Sequence, residues 1–181
     1  MNNLHKKIDI PVFLHELHGH RSSVFDLVLV YGMALAFAAT LSILAGDIAL
    51  QGYKRVLLVL LALDLAGGVV ANFTEGTNAY YKSSPKRRSR FMTLHVIQPA
   101  VLMLIFPESW IVITALSFFT LLTMALINRL KNPVSQRVVA GTLLTLGINL
   151  AIILGIPHVV VHCMLILFMV KLIMAFAVRW D

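Results

Sequence analysis

The stretch VLLVLLALDLAGGVVANF, Val56 to Phe73, decides the fold class. Its eighteen residues, as a helix rising 1.5 Å per residue, reach nearly across the hydrocarbon core of a bilayer. All but Asp64 and Asn72 are apolar or small. A carboxylate at bilayer depth costs at least ~2.5 kcal/mol on insertion scales, so a sequence that keeps one gives it a partner or a task.

Composition points the same way. With 181 residues, 59% hydrophobic and 13% charged, the chain lacks the charged surface of a water-soluble domain of its size. Its mean hydropathy is +0.88. Apolar runs predict spans at 24–45, 56–73, 91–106, 110–130, 138–154 and 158–178. Glycines, prolines and charge divide them, and Gly155-Ile156-Pro157 splits a last block too long for one helix. The expectation is an all-α polytopic integral membrane bundle of about six helices, with 1–23 a cytoplasmic interfacial segment and 179–181 a short tail. No cleavable signal peptide is expected, since the first apolar run follows a polar stretch and precedes no small-residue cleavage pattern.

Six spans put both termini and the second and fourth loops on one side, which then holds twelve of the fifteen Lys and Arg residues. The other side holds Lys54 and Arg55, and Lys171 falls inside the last span. This bias predicts cytoplasmic termini and residence in the cell membrane. It also accounts for the net charge of +7 without nucleic acid. Lys86, Arg87, Arg88 and Arg90 abut a span, where their natural counter-charge is anionic lipid headgroups.

In the N-terminal segment, Pro11 begins a short run, PVFLHELH, that predicts an interfacial helix. HELH is one residue short of the zinc-protease HExxH pattern, so His15, His18 and His20 read as polar interfacial residues. The single cysteine, Cys163, excludes an internal disulfide and reads as packing.

Asp64 shares its helix face with Gly67, Gly68, Ala71, Asn72 and Glu75. Small residues there let a neighbouring backbone approach, so Asp64 is expected to point into the bundle. Its expected partners are His95 and Gln98, three apart on the third span beside Pro99, or the stripe Gly141, Thr145 and Asn149 on the fifth. Lys171 lies about 220° around its helix from His158, at 100° per residue, and reads as snorkelling to the cytoplasmic surface.

His158 and His162 stand at i and i+4, the spacing with which two imidazoles address one metal ion. This HxxxH pair resembles the last motif of the superfamily of alkaline ceramidases and progestin/adipoQ receptors. The resemblance implies a zinc-dependent membrane hydrolase, with His95 and Asp64 as the candidates for the remaining partners. The chain departs from that family in having six helices rather than seven, and in placing the aspartate before the histidine. Predicted depths also separate His95 from His162 by about 15 Å along the membrane normal, at 1.5 Å per residue.

Three functions follow. Polar groups at several depths suit an ion- or proton-coupled carrier of a small solute, whose modest size suggests a homodimer. The HxxxH pair suits a zinc-dependent hydrolase acting on lipid. A buried Asp that only ties helices together suits a binding or assembly protein.

Overall fold

The structure, a computed structural model, describes residues 4–156 and 158–180. Residues 1–3, Pro157 of the expected break and Asp181 of the expected tail lie outside the described residues. The protein is an all-α membrane-type bundle with almost no sheet. Among the described residues, five helices are long and apolar enough to cross a membrane: Val24–Leu44, Gly52–Phe73, Pro107–Arg129, Pro133–Ile153 and Val159–Phe176.

The chain begins with a small antiparallel pair, β1 (Lys7–Asp9) and β2 (Arg21–Ser23), in register Ile8 to Ser22. Between the strands lie a 3-10 turn, Val12–Leu14, and one helical turn, α1 (His15–His18). The sequence predicts a lone interfacial helix here. The pairing differs because Gly19, at φ +73°, turns the chain back on itself, and Asp9 meets Arg21 at 2.9 Å across the strands. Ser23 then starts α2 (Val24–Leu44) with a reciprocal capping box involving Asp26.

Helix α2 packs along α3 (Gly52–Phe73) through small residues. A Cβ on Gly67 would lie 3.3 Å from that of Ala34, which is the close approach that small residues permit. A short α4 (Glu75–Lys82) follows, capped by Thr74.

The third expected span, 91–106, is not one helix. It is divided between α5 (Pro85–Leu94) and α6 (Ile97–Ile105), with a turn at His95 and Val96. The cause is Pro99, which has no N–H to donate to the carbonyl of His95 and whose ring crowds it. The broken pair still runs the length of the bundle. Arg88 near its start donates to the carbonyls of Phe176 and Ala177, whereas Ile105 at its end accepts from Lys54 at the head of α3.

Helices α7 (Trp110–Arg129) and α8 (Pro133–Ile153) form a hairpin. The chain returns through α9 (Val159–Met169), which continues as a π-helical segment, Val170–Phe176. This last helix is the most buried of the five, as expected for an element surrounded by others. One end of the bundle gathers the N-terminal hairpin, α4, the start of α5, the α7–α8 turn and residues 176–180, and carries most of the basic side chains.

Candidate functional site

Lys171 is the decisive correction to the sequence reading. Its side chain is only 3% exposed and reaches Asp64, with Nζ 3.0 Å from each carboxylate oxygen and 3.3 Å from the Asp64 carbonyl. It does not snorkel. A glycine makes this geometry possible. A Cβ on Gly68 would lie 2.8 Å from Nζ and closer still to Cε, so only glycine there leaves room for the ammonium. Lys171 lies at the start of the π-helical segment, and its angle from His158 around the helix does not say which neighbouring helix that face meets.

Gln98 Nε2 donates to Asp64 Oδ2, one of the two carboxylate oxygens that Lys171 holds. The expected pairing of Asp64 with Gln98 is therefore present, joined by a cation that the sequence reading had sent elsewhere. Asp64 remains about half exposed, at 48% of its side chain, and faces a cavity of about 250 Å3. Gly68, Asn72, His95 and Lys171 share that cavity, with Glu16 and Leu17 of the N-terminal hairpin at its border.

His95 sits in the turn between α5 and α6. Its Nδ1 donates to the Phe91 carbonyl at 2.6 Å, leaving Nε2 buried with no partner among the described residues. Asn72 Nδ2 is likewise buried and unpartnered. Both residues were singled out from sequence, and the structure puts them around one cavity with Asp64.

Asn149 stays apart. Its amide donates to the Thr145 carbonyl at 2.8 Å, and Thr145 bonds in turn to Gly141, on an exposed face of α8. The stripe satisfies its own hydrogen bonds and does not reach Asp64. At the far end of the bundle His158 Nε2 lies 3.1 Å from Glu108 and packs on Phe106, while His162 is half-buried one turn along. His158 is about 20 Å from Lys171 along the helix, from thirteen residues at 1.5 Å each. Among the described residues no three His, Cys, Asp or Glu side chains converge on one point, so His158, His162, His95 and Asp64 do not form the zinc donor set that the HxxxH resemblance implies.

Of the basic run, three members are held by protein groups. Arg88 donates to Asn128, Phe176 and Ala177 and stacks 4.5 Å over the Phe176 ring. Arg90 pairs with Glu16 of the N-terminal hairpin. Arg87 lies 4.4 Å over Tyr80, and Lys86 is exposed. The hairpin itself is seated by Tyr81 Oη donating to the Glu16 carbonyl, by Thr77 Oγ1 donating to that of Leu17, and by contact of Gly19 with Gly76.

No known protein family, no curated protein and no solved structure matches this chain.

Proposed function

We propose that this protein is a proton-coupled carrier of a small solute, with Asp64 and Lys171 as the proton-bearing pair. The observation that carries the reading is a buried ammonium held on a carboxylate that itself faces a cavity, midway along the bundle. An ionised pair has no net charge, and neither does the same pair after its proton passes from Lys171 to Asp64. Adding one further proton leaves a net positive charge among apolar helices, a state that the bilayer opposes. That proton is tolerable when the pair opens, which links proton binding to a change of shape.

Two backbone irregularities flank the pair. The turn between α5 and α6 and the π-helical segment interrupt regular hydrogen bonding at the depth of the cavity. Interrupted helices recur at the binding sites of membrane carriers because they free polar backbone and permit local movement.

The test uses the purified protein in liposomes containing a trapped pH dye, under an imposed proton gradient, with a panel of neutral, anionic and cationic small solutes. At least one solute should accelerate proton entry. The charge-neutral double variant Asp64→Asn/Lys171→Met, which leaves no unpaired ion to disturb folding, should abolish the acceleration. Proton entry equal to that of protein-free liposomes with every solute overturns the proposal.

A further inference from the structure

We infer that the Asp64–Lys171 pair is an exchange site for a small organic cation bearing N–H donors, an alkylammonium or a guanidinium, which takes the Asp64 carboxylate as Lys171 gives up its proton. The inference deepens the carrier reading and rests on it for transport, though not for binding.

The two partners differ in what can reach them. The Asp64 side chain is 48% exposed and lines the cavity of about 250 Å3, whereas that of Lys171 is 3% exposed. A carboxylate offers about four acceptor positions on its two oxygens. Lys171 takes one on each oxygen, at 3.0 Å, and Gln98 takes a second on Oδ2. A position on Oδ1 is left, on the group that faces the cavity. Glu16 at the cavity border is paired with Arg90, so Asp64 is the carboxylate there that a cation meets without displacing an arginine.

This carboxylate already holds an ammonium, that of Lys171, and an incoming N–H cation makes the same kind of bond. Two cations on one carboxylate would leave a positive charge without a counter-charge beside an enclosed amine, which apolar surroundings oppose. Loss of the Lys171 proton removes that charge. The Nζ–H bond breaks, the proton crosses 3.0 Å to Asp64 and leaves to solvent through the cavity, and the incoming cation takes the carboxylate. One positive charge enters and one leaves.

The lining selects the kind of cation. Divalent metal ions such as calcium and magnesium take six or more oxygen ligands. Leu17, Tyr81, Phe91 and Leu94 instead present mainly carbon, which suits an organic skeleton. An anion would meet the Asp64 carboxylate, with the only cation of the pair enclosed.

The other groups that could supply a proton are His95 and Tyr81 in the same cavity, and Glu16 at its border. Of the helices packed on the π-helical segment, α7 and α8 carry only Arg129 and Arg137 as titratable groups, and α9 carries His162 and Cys163.

The experiment uses the protein in lipid nanodiscs and methylguanidinium, whose guanidinium keeps its charge as that of arginine does and so cannot leak as a neutral base. Calorimetry in two buffers of different ionisation enthalpy counts the protons released per cation bound. Wild type should release about one, so its apparent Kd should fall about tenfold per pH unit between about pH 6 and 8. Lys171→Met, which lacks the internal competitor, should bind about tenfold more tightly or better at the lower pH and release no proton. His95→Gln should release a proton as wild type does. The double variant Asp64→Asn/Lys171→Met should not bind, and acetate, glucose and sodium should not compete. Absence of binding to wild type, binding without proton release, equal binding of sodium, or proton release that disappears in His95→Gln and persists in Lys171→Met overturns the inference.

The liposome assay separates the two claims. Cation binding with proton release but without any driven proton entry keeps the exchange site and discards the carrier. Proton entry driven only by a neutral or anionic solute does the reverse.

Discussion

Lys171 holds both carboxylate oxygens of Asp64 at 3.0 Å across 107 residues of chain, and the two partners are unequally buried. The ammonium is enclosed while the carboxylate is half open to the cavity. Removing one partner therefore has different consequences from removing the other. Asp64→Asn strands a buried cation, a loss of about 3 kcal/mol for a broken buried pair. Lys171→Met leaves a carboxylate that can still meet water, and should cost less. Thermal unfolding in detergent should rank the proteins wild type, Lys171→Met, then Asp64→Asn, with the double variant above Asp64→Asn. Equal stability of the two single variants would contradict the unequal burial.

Gly68 makes the pair possible. In Gly68→Ala the new methyl meets the end of the Lys171 side chain, which can swing aside but only by leaving Asp64. Proton entry in the liposome assay should fall about tenfold or more, equivalent to losing about 1.4 kcal/mol of preference for the paired geometry. Thermal stability should fall by no more than about 2 kcal/mol, a common cost of overpacking. Gly141→Ala, where nothing lies within 4 Å, is the matched control and should behave as wild type.

The seating of the N-terminal hairpin depends on backbone meeting backbone. A Cβ on Gly76 would lie 2.5 Å from the His18 carbonyl oxygen and closer to that of Arg21, and neither carbonyl can rotate away as a side chain could. Gly76→Ala should release the hairpin from α4 without unfolding the spans. Limited proteolysis should then cut after Arg21 at least tenfold faster, as about 2 kcal/mol of lost docking would produce. An unchanged cleavage rate would mean the hairpin is held by other contacts.

His18 makes the same docking sensitive to acid. Burial holds its pKa below the ordinary 6.5, and its Nε2 lies 2.9 Å from Tyr31 Oη. Between the lowered value and 6.5 the released hairpin binds more protons than the seated one, so seating is favoured above pH 6.5 and is lost progressively as pH falls below it. Hydrogen exchange of residues 15–23 should be slower at pH 7.5 than at pH 5.5 after correction for intrinsic rates, with His18→Gln reducing the difference. Equal protection at both values would exclude His18 as its source.

Much of this protein is legible one helix at a time. Asp64, Gly68 and Asn72 share a face because of the helical repeat, and the place of His95 beside Gln98 and Pro99 follows from spacing alone. Pro99 also announces a local weakness, although whether it bends or breaks a helix depends on what else supports the two halves. The exposed stripe at Thr145 and Asn149 is the opposite case. Its polarity invites an inward reading, but side chains that bond to their own helix carbonyls need no partner elsewhere.

The sequence by itself determined the membrane class and the need for something to accompany Asp64, because hydrophobic length and the cost of a buried charge are properties of short segments. The tertiary structure decided what that companion is. Lys171 lies on a helix remote in sequence and reaches Asp64 only over Gly68, one turn along the same face of α3, which packing alone brings opposite it. The same holds for the histidines. His95 joins the Asp64 cavity while His158 and His162 stay at the far end, since spacing along one helix says which residues neighbour each other but not which helices meet.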